Sequence, residues 1–315
     1  MNWFKALPIH FFAHFGLCFG VLAQSTVSTP IVGFNTLSFP SGNSTHAATF
    51  VKGNVFQGVA TSKTTTSLTV SSASFGSLGP VGGLPTHYVK ITSGAMEGYV
   101  LDILSNTSTA VTVDGSLATA EATPSFVIRS HVKASDLFAG NSSLSAGLDT
   151  LTAFNADGAS SVLLWVGTDS ATGWVDTLTE AAADAVIYPG QGFVLTAANS
   201  GNFRFQGTVE NTPTVVPMFP GAVNLVTLAS PSTGSRALQT SGLGANMASG
   251  LDTVEFWSQD GSLASTAVYL WAGSETGFVN SVTEEIATVN IGASQILNVT
   301  VTDPTTWKAA SPLTP

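Results

Sequence analysis

Short runs rich in Val, Ile, Thr, Leu and Phe alternate along the chain with Gly, Asn, Asp and Pro, a rhythm that predicts a string of brief β-strands. They fall at 31–39, 55–61, 67–70, 87–92, 98–104, 110–113 and 126–130, then at 151–154, 162–166, 185–188, 192–197 and 203–209. A last group covers 223–228, 253–257, 267–272, 289–291 and 295–301. Asn106-Thr107 predicts a turn between two of these strands, and Asp114-Gly115 a chain reversal just after them. Helical periodicity is weak. Only 134–138 and 179–184 offer a turn or two, too short to organise a core.

The pattern occurs twice. Gly147-Leu148-Asp149-Thr150 returns as Gly250-Leu251-Asp252-Thr253, and each leads to an Asp-Gly reversal, Asp157-Gly158 and Asp260-Gly261. Leu164-Trp165-Val166-Gly167 matches Leu270-Trp271-Ala272-Gly273, Gly173-Trp174-Val175 matches Gly277-Phe278-Val279, and Thr179-Glu180 matches Thr283-Glu284. The offset stays at about 103 to 106 residues, so the insertions fall in turns, as expected of two copies of one folding unit. Upstream, Gly33 to Pro40 reads like the phrase from Gly221 to Pro231. If that match holds, the first copy opens at 24–50 and resumes at 131–210, with 51–130 a small β unit inserted into it, and the second copy is 211–315. Insertion at an exposed turn is tolerated because loop closure costs grow slowly with length. The alternative is that 24–130 forms an ordinary N-terminal domain. The fold class expected is all-β: tandem β-sandwich-like domains with a small β-barrel-like unit, N-terminal or inserted.

Composition adds a compartment. Lys5 followed by an apolar stretch from Ile9 to Leu22, ending in Val21-Leu22-Ala23, has the plan of a secretory signal over 1–23. The one cysteine, Cys18, lies inside it, so the mature chain is expected to be cysteine-free, which favours a bacterial exported protein. Removing Lys5 takes the net charge from −10 to −11. With the basic residues scattered singly, the chain carries no electrostatic footprint for nucleic acid. No membrane span is expected in the mature chain, and the location expected is the cell surface, the medium or the periplasm.

The chain carries no Gly-x-Ser-x-Gly elbow and no His-Glu-x-x-His, and its mature histidines, His46, His87 and His131, stand apart in sequence as surface or strand residues. No cofactor and no metal is implied. The paired carboxylates Asp149/Asp252, Asp157/Asp260 and Glu180/Glu284 read first as turn and capping residues. A calcium loop at Asn155/Asp157 would lack the usual density of oxygen ligands. Trp165 and Trp271 sit in apolar strands and read as core. Trp174 and Phe278 each follow a glycine in what reads as an exposed loop, making them candidate contacts for a sugar ring or partner, or lids over the end of a β core.

Val32-Gly33-Phe34, His87-Tyr88-Val89-x-Ile91-Thr92-Ser93-Gly94, Gly98-Tyr99-x-x-Asp102-Ile103-x-Ser105-Asn106-Thr107 and Pro189-Gly190-Gln191-Gly192-Phe193 together resemble a family of exported β-rich proteins of unknown function, known mainly from verrucomicrobial bacteria. The second copy departs from it, with Gly292-Ala293-Ser294-Gln295 in place of Pro-Gly-Gln-Gly. The resemblance implies export and β architecture, and no activity. The function expected is a non-enzymatic structural, adhesive or surface-associated protein. Its alternatives are a carbohydrate-binding protein using Trp174 and Phe278, or a hydrolase or lyase on extracellular polymer; partners in reach are polysaccharide or another cell-surface protein.

Overall fold

The computed structural model describes residues 31–310, except 139–140, 142, 156, 229–234, 258–264 and 293–294. The expected signal at 1–23, with Cys18, and the Asp260-Gly261 reversal lie outside the described residues. Strand accounts for 47% of the structure and helix for 7%, so the protein is all-β with sandwich-like packing.

One body is built on a six-stranded antiparallel sheet in the order Ala182–Ala183, Trp174–Asp176, Ser160–Trp165, Thr150–Phe154, Gly192–Ala197, Gly42–Ala47. Thr150–Phe154 shows why it packs: Leu151 and Ala153 turn inward and are buried, while Thr150, Thr152 and Phe154 stay half-buried on the other face. Two ribbons close the core. One joins Val32–Phe39 to Gly201–Thr208, and a shorter one joins Val132–Lys133 to Val186–Ile187. Phe39, Phe203 and Phe205 from the long ribbon meet Leu151, Trp174 and Phe193 from the sheet in one apolar cluster.

A second body follows the same plan. Its sheet runs Phe278–Asn280, Ser265–Trp271, Thr253–Trp257, Leu297–Thr300, Asn224–Val226, and its ribbons are Thr214–Met218 with Thr305–Ala309 and Arg236–Ala237 with Asn290–Ile291. The outermost pairing of the first sheet is reduced here to a single bridge between Val279 and Ile286. Local bonding agrees as well. The amide of Trp165 bonds the carbonyl of Asp149, and that of Trp271 the carbonyl of Asp252. Glu180 (φ 56°) and Glu284 (φ 59°) hold the left-handed backbone at matching turns, each turn tied by the preceding Asp176 or Asn280 side chain.

Residues 54–130 form a third sheet, ordered Asn54–Val59, Ser125–Ser130, His87–Ile91, Val100–Asn106, Ala110–Val113, Ser67–Thr69, Ser62–Lys63. It curls like half a barrel. Register shifts at Asn54/Phe56 and Ile103/Ser105 provide the local bends such curvature needs. Its concave face is apolar, with Val89, Ile91, Ile103, Phe126 and Ile128 all fully buried. The chain thus leaves the first body after the strand Gly42–Ala47 and rejoins it at Val132–Lys133.

Some expectations change. Asn224–Val226 takes the sheet position of Gly42–Ala47, and Thr214–Met218 that of Val32–Phe39, so the matching of Gly33 with Gly221 was displaced. The better correspondence is Phe39-Pro40-Ser41-Gly42 with Met218-Phe219-Pro220-Gly221, where Phe39 and Met218 are both core residues and Gly42 and Gly221 both turn at positive φ. Ala134–Phe138 is a short helix, but 179–184 is not helical: a turn leads there into the strand Ala182–Ala183. The strands Gly42–Ala47, Trp174–Asp176, Thr214–Met218, Phe278–Asn280 and Thr305–Ala309 were not foreseen.

Candidate functional site

The loop reading of Trp174 and Phe278 is corrected. Both open strands, and both are buried, at 0% and 1% exposure, so neither offers a ring face to a ligand. Trp174 packs edge-on against Trp165 (5.0 Å) and Phe138 (5.6 Å), and Phe278 lies 4.9 Å from Trp271. The glycine before each serves the packing: at Gly173 (φ 80°) a Cβ would overlap the Trp165 ring, and at Gly277 (φ 79°) it would overlap Gln239. Trp165 is buried and Trp271 partly so. Asp149 and Asp252 are buried backbone caps. Asp149 accepts the amides of Ser145 (2.8 Å) and Ala198 (2.7 Å), and Asp252 those of Ala248 (2.7 Å) and Thr302 (2.9 Å). Asp157 accepts the amide of Ala159 within its own turn.

The concentration of chemistry lies elsewhere, on the convex face of the half-barrel. In this antiparallel sheet Tyr88 stands opposite both Asp102 and Arg129, so these side chains share a face with Lys90, two residues along from Tyr88. All four are buried. A connector at 209–213, leading from the first body to the second, lays Glu210 across them. Its Oε2 lies 2.8 Å from Lys90 Nζ and 2.5 Å from Arg129 Nη1. Its Oε1 accepts the amides of Asn211 and Thr212 and the Thr212 hydroxyl (2.8 Å). Lys90 also donates to Thr214 Oγ1 (3.0 Å) and the Thr212 carbonyl (3.3 Å), and Arg129 Nε to Asn54 Oδ1 (2.7 Å).

Beside it, Asp102 receives Tyr188 Oη on one oxygen (2.6 Å) and His131 Nε2 on the other (2.9 Å). The His131 ring lies tilted 4.9 Å from Tyr88 and edge-on 5.1 Å from Tyr188.

Burial raises Glu210's pKa, but the Lys90 and Arg129 charges, with hydrogen bonds from Lys90 and Thr212, outweigh that and hold it at about 2. Burial lowers Lys90 to about 8 against the pull of Glu210. Burial lifts Tyr88 to about 12, and it lifts Tyr188 further, helped by the Asp102 charge. Such a cluster could mark a reactive site. Lys90 argues otherwise: its ammonium has three donors and meets three acceptors. His131 Nδ1, where a nucleophile would hang in an Asp–His relay, is buried and has no hydrogen-bond partner among the described residues. The cluster acts as a clamp.

Two further contacts complete the junction. Glu97 pairs with Lys308 (3.0 Å), and the Val215 amide bonds the Gly98 carbonyl (2.9 Å), tying the half-barrel to the second body. Between the two bodies, Gln191 bridges Val226, and Ala47, Leu225 and Ile296 form a small apolar cluster. Gly192 sits where a Cβ would be 3.1 Å from Leu225, which explains the Pro189-Gly190-Gln191-Gly192 turn as a close approach of two sheets.

Sequence reasoning missed Lys90, Arg129, Glu210, Asp102 and Tyr188 and treated His131 as a surface or strand residue, although it is 2% exposed. His46 is likewise buried, bonded to Ser44 Oγ and packed on Phe193 and Phe203, and burial lowers it to about 4. A usable signal existed: in a chain with 9% charged residues, Val-Lys-Ile and Ile-Arg-Ser place charges inside apolar strands, and Val-Glu-Asn places one just after another.

Among the described residues no three His, Cys, Asp or Glu side chains gather to hold a metal ion, and no helix is long and apolar enough to cross a membrane. Comparison with family models, curated proteins and solved structures returned no match for this chain.

Proposed function

We propose that the chain is a non-enzymatic exported protein with a structural, adhesive role at a cell surface, built from two copies of one sandwich with the half-barrel inserted into the first. The observation that carries this reading is Glu210. One buried carboxylate ties two buried cations of the half-barrel to the connector between the bodies, so the strongest polar interactions serve to hold three parts in one arrangement. A rigid body presenting Ser- and Thr-rich outer faces suits attachment and scaffolding. The resembling motifs support the same view, because Tyr88, Asp102 and the turn at Pro189 lie at these junctions. The carbohydrate alternative loses its two platforms with the burial of Trp174 and Phe278.

Protease shaving and antibody labelling of intact producing cells test the proposal. The expected result is labelled, full-length protein on the cell exterior and altered cell adhesion in a strain lacking it. Protein confined to the cytoplasm, or an unchanged surface in that strain, would overturn it.

A further inference from the structure

The outer face of the long ribbon in the first body is open. Cross-strand pairing places Phe34 beside Gln206 and Thr36 beside Arg204, all exposed, with Phe34 at 79% and Val32 at 70%. With Lys52 and Asp136, which pair with each other at 3.1 Å, they line a cleft of ≈ 500 Å³. Arg204 has no ion-pair partner among the described residues. An apolar patch carrying an unspent cation is an incomplete interface.

The second body shows what such a face can hold. Its ribbon ends at Met218 paired with Thr305, as the first ends at Phe39 paired with Gly201, so Lys308 and Val215 occupy the places of Arg204 and Thr36. There a turn of the half-barrel meets the ribbon: Glu97 pairs with Lys308, which stays half-exposed, the Gly98 carbonyl takes the Val215 amide, and Val215 is buried at 7%. The ribbon face binds a turn that carries a carboxylate.

A matching turn is exposed on the same chain. The tip 281–286 presents Val282 at 87% and Ile286 at 61%, with the exposed carboxylates Glu284 and Glu285 between them. Glu284 holds φ 59°, and the Asn280 side chain ties the turn by accepting the amides of Val282 and Thr283.

We propose that the ribbon face around Phe34 and Arg204 binds the tip 281–286 of a second copy of this chain. The apolar pair Val282 and Ile286 would meet Phe34 and Val32, and a tip carboxylate would meet Arg204. The two patches differ, so the contact is heterologous and joins copies head to tail. This rests on the structural reading above and deepens it.

Sedimentation velocity over a concentration series is the test, with Arg204→Glu and the double variant Glu284→Arg/Glu285→Arg beside the wild type. All three changes are at exposed positions, so melting temperatures should agree. The wild type is expected to associate progressively with concentration, each variant to stay monomeric, and an equal mixture of the two variants to associate again through the swapped pair. A wild type that remains monomeric throughout, or variants that associate as it does, would overturn the proposal. Binding of a uronate polysaccharide by a monomeric wild type, lost in Arg204→Glu, would replace the second copy as occupant. Surface labelling of cells is unaffected by a negative result here, so failure of this contact is distinguishable from failure of the structural role.

Discussion

Replacing Glu210 with Gln keeps the shape of the side chain and removes its charge, leaving Lys90 and Arg129 buried side by side without a counter-ion. Two estimates of the cost agree. Glu210 falls from 4.5 to about 2 on folding, and each pH unit is worth about 1.4 kcal/mol, which gives about 3 kcal/mol. Breaking a buried ion pair from one side costs about 3–5 kcal/mol in other proteins. The pH dependence follows in sign. The carboxyl is more acidic folded than unfolded, so its contribution is fully present above about pH 4.5 and disappears as the pH falls towards 2. Urea unfolding at pH 7 should therefore show Glu210→Gln less stable by about 3 kcal/mol or more. Titrated downward, the gap to the wild type should narrow below pH 4.5. Adding Lys90→Met should recover part of the loss, because one of the two orphaned cations is then gone. A loss under about 1 kcal/mol at pH 7, or a gap that ignores pH, would refute the reasoning.

Trp174→Ala and Phe278→Ala should each lower stability by about 3–5 kcal/mol, measured by urea unfolding, since each empties a filled core position. Asp149→Ala and Asp252→Ala should behave as a pair, each losing about 2–4 kcal/mol in the same assay, because each strands two backbone amides.

The sequence made many strand positions legible because period-two alternation and turn residues are local signals. Gly192–Ala197 and Thr253–Trp257 lie within strands read directly from the alternation. Short strands that begin at a packed aromatic escaped it: Trp174–Asp176 and Phe278–Asn280 follow a Gly that reads as a loop, yet each glycine is there because a neighbouring side chain, the Trp165 ring or the Gln239 amide, occupies the space of its own. The junction was hidden for another reason. Lys90, Arg129 and Glu210 are 39 and 81 residues apart along the chain, and only the folding of one sheet face against a connector brings them together. His131 could not be known as buried until Tyr88 and Tyr188 were placed on either side of it.

The central claim, that a buried polar junction locks the half-barrel to both sandwiches, is tested most directly by hydrogen exchange with mass spectrometry on the wild type and Glu210→Gln. In the wild type, amides of His87–Ile91 and Ser125–Ser130 should be protected as strongly as those of Gly192–Ala197. In the variant, protection should fall in those half-barrel strands while Thr253–Trp257 and Leu297–Thr300 keep theirs. Half-barrel strands that already exchange freely in the wild type, or a variant whose loss is uniform across the chain, would contradict the account.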